Sequence, residues 1–300
     1  MTRTADALMG AYVADAATLG IHWLYDPQRI ARLGQALWRE PDPADFDGAE
    51  GIFVHHGKRA GDISQYGAQM RAMIRTMADG PFEASTYHEQ VVAAFGSGGW
   101  WHGYIDKATR GTLAHIASGR TPTGAHDDQI PALSGLPALI ATGASAATCA
   151  QAVAQISHHD TTAAYAPAAT EALRAAMAGR GIAEALASGL DAAGRAARDP
   201  LAAALACTDD PIAHAGETGR ACPLPQALPV AFHIAATAQG YTEAVEINAR
   251  VGGDSCGRAI FLGALFGAGD PSPPLWTARL REGPALAAEI DALARTHEPS

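Results

Sequence analysis

The chain has 300 residues, a formal net charge of −10 from 31 acidic and 21 basic side chains, and 48% hydrophobic residues, with alanine leading. That balance, without a basic patch, excludes a nucleic-acid partner. Alanine favours helix, and the scarcity of aromatic and β-branched runs argues against a large sheet, so the expected class is all-α. The four cysteines stand far apart, which fits a reduced, cytoplasmic setting better than a disulfide framework. Asp6 and Asp15 interrupt the N-terminal apolar stretch, so a signal peptide is not expected. The apolar run Ala259 to Gly269 is too short to span a bilayer, so no membrane partner is expected.

In chain order, residues 4–20 read as a buried helix with small residues on one side. A long irregular stretch follows, about 26–62, with turns near 27–38. A helix starts near Ser64 and carries Met70, Met73, Ile74 and Met77 on one stripe, which reads as core. Further helices are expected at 84–95, 104–118, 131–142, 146–156, 160–178 and 181–198, separated by Gly, Pro or Ser signals. Residues 224–239 and 257–268 lack a polar face and should be central. Gly263 and Gly267, four apart, offer a surface that another backbone can approach closely. A last amphipathic helix covers about 284–295, and the tail from about 297 is read as disordered. No repeat or composition shift divides the chain, so residues 1–300 are taken as a single domain.

Polar clusters precede several of these helices: Gly61-Asp62-Ile63-Ser64-Gln65, His126-Asp127-Asp128-Gln129, Ser157-His158-His159-Asp160-Thr161 and Gly252-Gly253-Asp254-Ser255. Two readings stand side by side. Such residues cap helices, accepting hydrogen bonds from free backbone N–H groups. Alternatively the loops converge on one mouth, where carboxylates and hydroxyls hold a hard cation or sugar hydroxyls. The run His55, His56, Lys58, Arg59 is the best basic spot, either a phosphate contact or a solvated loop. Trp23, Tyr25, Trp100 and Trp101 are core aromatics or stacking surfaces. Without H-E-x-x-H or paired cysteines, a zinc site is not expected. Cys256, at a helix start, is either a small buried thiol or an activated nucleophile.

The segment Val251-Gly-Gly-Asp-Ser-Cys-Gly-Arg-Ala-Ile-Phe-Leu-Gly-Ala-Leu-Phe-Gly-Ala268 resembles the Gly-Gly-Asp-Thr-Asp-Thr signature of ADP-ribosylglycohydrolases and its small-residue helix. Met9-Gly-Ala-Tyr-Val-Ala-Asp-Ala-Ala-Thr-Leu-Gly20 is similar to that family's first helix, and Gly61-Asp-Ile-Ser-Gln-Tyr-Gly67 stands where the family carries Thr-Asp-Asp-Thr. The wording His22-Trp-Leu-Tyr-Asp26, Gly61-Asp62 and Tyr66-Gly67 is closest to the J-crystallin-like branch. The resemblance implies an all-α bundle and hydrolysis of a ribosyl glycosidic bond in a small-molecule or protein-linked ADP-ribosyl substrate. It also implies Mg²⁺ or Mn²⁺. On it, Asp62, Asp254 and Asp128 are the candidate catalytic carboxylates. Ser64, Gln65, Tyr66, Asp127, His158, His159, Gly252, Gly253 and Ser255 are the candidate substrate contacts, and Asp254 and Asp62 the candidate metal ligands. The motifs depart from the pattern: Cys256 stands at the second Asp, Gly257 at the last Thr, and no adjacent Asp pair precedes the 65–78 region. A thiol is a poor Mg²⁺ ligand, so one weakly held ion or none is expected. Two other readings remain: a catalytically silent ADP-ribose-binding or crystallin-like structural member, and metal-independent cleavage of a different glycoside by two carboxylates.

Overall fold

The computed structural model describes residues 2–296. In chain order its α-helices are α1 (Arg3–Thr18), α2 (Pro27–Arg32), α3 (Gln65–Ala78), α4 (Ala84–Phe95), α5 (Lys107–Ser118), α6 (Leu136–Ala141), α7 (Ala146–Ile156) and α8 (Asp160–Met177). They continue with α9 (Ile182–Ala192), α10 (Arg195–Ala206), α11 (Pro211–Thr218), α12 (Leu224–Thr237), α13 (Tyr241–Val251), α14 (Ser255–Gly267), α15 (Pro274–Thr277) and α16 (Gly283–Thr296). Among the described residues there is no strand, only isolated bridges such as Ala125–Ser157 and Gln129–Pro223 that pin loops together. The all-α expectation therefore holds. The reading of the tail from about 297 lies outside the described residues. No described helix is long and apolar enough to cross a membrane.

The architecture is organised around α1 and α14, which pack on each other more extensively than any other pair. Every residue of α14 is buried. The reason is local: a Cβ on Gly263 would stand 2.4 Å from the Gly10 carbonyl oxygen, and one on Gly10 would stand 2.5 Å from the Gly263 carbonyl oxygen. Only glycine at both positions lets the two backbones touch. Tyr241 of α13 closes the contact, its hydroxyl donating to the Gly10 carbonyl at 2.6 Å. The remaining helices wrap this pair, and one apolar cluster runs from α1 through α16.

Two expectations are corrected. The helix expected over 181–198 is two helices, α9 and α10, broken at Ala193-Gly194, where the Gly194 N–H turns to the Ala164 carbonyl of α8. A long-range hydrogen bond overrides a stretch whose local propensity is helical throughout. Helix α13 has no counterpart among the expected elements, although Ala244, Val245, Asn248 and Ala249 are buried on one side of it.

Candidate functional site

Three segments distant in sequence meet where α1, α3 and α14 come together. Asp15 lies in the last turns of α1, completely buried. Its two carboxylate oxygens accept the backbone N–H and the hydroxyl of Ser64, the residue that caps α3. Gly67 makes room for this, since a Cβ there would stand 2.5 Å from Asp15 Oδ2. In the first turn of α3, the Tyr66 hydroxyl donates to Asp254 Oδ1 at 2.8 Å. The Gly-Gly-Asp loop and the 61–67 turn are thus joined by a direct hydrogen bond.

The capping and functional readings separate at this point. Ser64 caps, accepting from Tyr66 N–H, and His159 caps α8 through Nδ1. Asp127 accepts the Gln129 N–H in its own loop at 3.0 Å. Asp254 heads α14 but makes no capping hydrogen bond. Its carboxylate is folded back over the first turn, against Gly257, where a Cβ would stand 2.6 Å from Oδ2. Oδ1 is held by Tyr66, and Oδ2 has no hydrogen-bond partner among the described residues. A buried acceptor left open in this way needs an explanation.

The loop that carries Asp254 is strained into place. Gly252 and Gly253 both have left-handed backbones, with φ of 74° and 66°. The Gly253 carbonyl accepts the Trp23 N–H at 2.8 Å, and the Asp254 N–H donates to the Arg220 carbonyl at 2.8 Å. Trp23 itself sits at φ 66°, a costly conformation for a bulky residue. Beneath the loop, the fully buried Arg258 donates to the Gly252 and Arg220 carbonyls and to Asn248 Oδ1.

Electrostatics follow from the burial. Desolvation lifts Asp254 to about 6, opposed first by the Arg258 charge and then by the Tyr66 hydrogen bond. Desolvation lifts Asp15 to about 7, opposed by its bonds from Ser64. Two imidazoles face the same region. His22 Nδ1 lies 3.6 Å from Asp254 Oδ1, and the His22 and His55 rings are 5.2 Å apart. Burial, helped by nearby positive groups, holds His55 down at about 3 and His22 well below the usual histidine range. The Cys256 thiol is buried and pushed well up, which favours the small-buried-thiol reading.

An aromatic wall leads outward. Trp23 stacks on His22 and meets Tyr104 edge-on, and the Trp101 indole donates to the Tyr104 carbonyl at 2.9 Å. Trp101 and Trp100 then line an outer pocket of about 130 Å³ with Lys58, Asp62, Arg71, His102 and Glu282. The basic run of this loop is split: His55 is buried and Lys58 Nζ stands 3.6 Å over the Trp101 ring, while His56 and Arg59 are exposed.

The other expected site residues fall as follows. Ser255 and Gln65 are buried beside the junction, and neither polar atom of the Gln65 side chain has a hydrogen-bond partner. Asp62 caps its own loop at the Arg59 N–H and faces Arg281 at 3.3 Å, with no hydrogen bond or ion pair to Asp254. Asp127 is buried, 3.5 Å from Lys107 Nζ, and Asp128 offers its backbone carbonyl to Leu224 N–H. His158, His159 and Asp160 line a separate groove of about 360 Å³, where His159 packs on His126. Asp15, His22 and Arg258 were not singled out as site residues from the sequence, and His55 only as part of the basic run. The available signal was a carboxylate inside an otherwise apolar helix for Asp15, and a cation inside an all-apolar helix for Arg258.

The family profile described as ADP-ribosylglycohydrolase matches residues 1–299. Among solved structures, a chain described as an ADP-ribosylglycohydrolase-related protein complex superposes with a TM-score of 0.75 at 17% identity, covering 98% of each chain. At that identity the likeness concerns the fold. No curated protein matches the chain significantly.

Proposed function

Because the chain belongs to the ADP-ribosylglycohydrolase family, we propose that it hydrolyses a ribosyl glycosidic bond at Asp254, on a small-molecule or protein-linked ADP-ribosyl substrate. The observation that carries this is the carboxylate itself: buried at a helix start and fixed through Oδ1 by Tyr66, while Oδ2 has no full hydrogen bond and is only approached by the Gly257 N–H and the Trp23 indole. With a pKa of about 6 it is mostly ionised at neutral pH. In that state Oδ2 takes a proton from an attacking water or faces the positive charge that develops at the anomeric carbon. Tyr66 keeps the carboxylate from rotating, and the low-polarity surroundings strengthen its field.

Asp15 is a positioning residue in this scheme. Raised to about 7, it is protonated about half the time at neutral pH. When it is, its bond with Ser64 reverses and the Ser64 hydroxyl is released to donate toward the leaving group. The outer pocket, about 130 Å³, offers Lys58 as a cation toward a diphosphate; Arg71 is held by Glu282 and Glu289, and Arg71 and Arg75 cover the Trp100 ring. Asp254 is fully covered, so substrate entry requires part of its cover to move.

The family's Mg²⁺ or Mn²⁺ pair does not fit this donor set. Asp15 has both oxygens engaged by Ser64, Asp62 is turned to Arg281, and a thiol occupies position 256. Hard dications require several oxygen ligands, and Asp254 alone does not supply them.

The test is turnover of ADP-ribosyl-arginine and ADP-ribosyl-serine with Mg²⁺ and with chelator, alongside Asp254→Asn. Cleavage that survives chelation and falls by a factor of about 100 or more in the variant is expected. Absence of cleavage under all conditions removes the proposal. The complete burial of Asp254 and Cys256 favours a second reading, a catalytically silent ADP-ribose-binding member on the J-crystallin-like side of the family. A thermal shift with ADP-ribose and no turnover would select it.

A further inference from the structure

Beside Asp254 lies a set of softer donors. One ring nitrogen each of His22 and His55 and the Sγ of Cys256 all lie within 4.8 Å of one another, and all three residues are buried. They come from three segments: the end of the turn after α1, the long loop before α3, and the first turn of α14. What distinguishes the cluster is how little its members are otherwise used. His22 Nε2 and both nitrogens of His55 have no hydrogen-bond partner among the described residues. A buried polar group left unpaired costs about 1–3 kcal/mol, and native folds carry few of them. Three in one place are not explained by packing. The two rings do not satisfy each other, since they are tilted by 46° and share no hydrogen bond.

We propose that His22, His55 and Cys256 form a binding site for a zinc-class ion, with Asp254 at its edge. Imidazole and thiolate are the ligands that borderline-soft dications select, and they are poor ligands for Mg²⁺. Zinc–nitrogen bonds of about 2.0–2.1 Å and zinc–sulfur bonds of about 2.3 Å place tetrahedral donors roughly 3.5 Å apart, so the cluster closes by about 1 Å on the ion. Neither ring nitrogen of His55 makes a hydrogen bond, so its lone pair is open; that of His22 is shared with the Cys256 N–H. Cys256 arrives as a thiol; one S–Zn bond forms, the S–H bond breaks, and one proton leaves to solvent with no change of oxidation state. The contacts that Sγ gives up are weak, 3.6 Å to the Asp15 carbonyl and 3.7 Å to the Thr18 hydroxyl. His22 Nδ1 accepts the Cys256 N–H at 3.2 Å, so the ring proton sits on Nε2; binding the ion through Nε2 moves that proton to Nδ1, toward Asp254 Oδ1 at 3.6 Å, and gives up the Cys256 N–H contact.

A second cluster, Cys207, His214 and His233, serves as the internal comparison. There His233 already has one nitrogen against the Ala204 carbonyl and the other against the Asp209 carbonyl, so it offers no open lone pair.

The experiment uses the full chain, stripped with chelator and titrated with Zn²⁺, with bound metal measured after gel filtration. Co²⁺ serves as the optical probe. One Zn²⁺ per chain is expected, together with a Co²⁺ spectrum that includes a thiolate charge-transfer band. Cys256→Ser should remove that band. His55→Gln, on a loop outside every helix, should weaken Zn²⁺ by more than about 100-fold, beyond the range seen for loss of a supporting group. Its metal-free melting temperature should stay near that of the parent. Cys207→Ser should change none of these. Failure to retain zinc, or retention undiminished in both His55→Gln and Cys256→Ser, overturns the assignment. The metal readout is independent of turnover. Zinc uptake without cleavage leaves this site standing and removes the hydrolase proposal, and cleavage without uptake does the reverse.

Discussion

Asp15→Asn isolates the electrostatic strain at the centre of the fold. Burial raises the Asp15 carboxyl from 3.8 to about 7, so the folded chain binds a proton there over a range in which the unfolded chain has released it. The sign follows from linkage: stability is full below the unfolded value and is lost as pH rises through the folded one. At pH 8 the ionised group costs about 4 kcal/mol, at about 1.4 kcal/mol per unit, whereas at pH 5 the cost is only about 1.5 kcal/mol. Asparagine keeps the shape and can still accept the Ser64 N–H, but the Ser64 hydroxyl loses its acceptor, a pH-independent loss of about 1–3 kcal/mol. The difference in unfolding free energy between variant and parent should therefore move by about 3 kcal/mol in favour of the variant from pH 5 to pH 8. Urea unfolding at fixed ionic strength measures it. His22, His55 and Asp254 titrate in both proteins and cancel in the difference, which matters because the depressed histidines act with the opposite sign. A difference that stays constant within about 1 kcal/mol across that range would refute the assignment of a proton to buried Asp15.

Other perturbations test neighbouring parts. Gly263→Ala forces a Cβ to within 2.4 Å of the Gly10 carbonyl and should destabilise the chain by about 1–3 kcal/mol or more in urea unfolding. Tyr66→Phe removes the hydrogen bond that favours ionised Asp254; its pKa should rise above about 6, and the acidic limb of the pH–rate profile should move up with it. Arg258→Met removes the charge that most opposes the desolvation of Asp254 and leaves the Gly252 carbonyl and Asn248 Oδ1 without their donor. A loss of about 3–5 kcal/mol in unfolding free energy is expected. His55→Gln removes a histidine held neutral at about 3 in the fold. The parent's stability falls as pH drops below the unfolded value of 6.5, and that fall should shrink in the variant's acid titration.

The helical class and the central place of α14 were legible because both depend on local composition: a run with no polar face has to be buried, and Gly263 with Gly267 announces a close neighbour. That the neighbour is α1, through Gly10, required the fold. The break between α9 and α10 was illegible for the same reason, since Gly194 stops the helix only because the Ala164 carbonyl is there to receive its N–H. At the site, the sequence pointed to Asp254, Ser64 and Tyr66 through their motif positions, and the structure brings these together. It also drew attention to Asp62, whose carboxylate faces Arg281, because a motif fixes residue type and spacing but not side-chain direction. His55 carried no signal of its own. In a run with His56, Lys58 and Arg59 it read as a basic spot, and only the path of the loop turns it inward.

The departures from the family motif at 254–258 make more sense together than singly. Asp254 in an apolar interior needs a compensating positive charge. In this chain a large part of it comes from Arg258, one helical turn along α14 and fully buried, while Gly257 between them lets the carboxylate fold back toward the helix. A hard dication pair at the same place would meet a resident guanidinium and find too few oxygens. An ion bound by neutral imidazoles and one thiolate meets a different balance. Zn²⁺ enters as the Cys256 proton leaves, so loading adds one net positive charge to the buried region, whereas a pair of hard dications with no thiol to deprotonate adds four. Substitution of Cys256 by Asp tests this coupling: it should abolish zinc uptake without creating Mg²⁺ uptake so long as Arg258 remains. Recovery of Mg²⁺ binding in Cys256→Asp alone would show that Arg258 does not set the charge of the site.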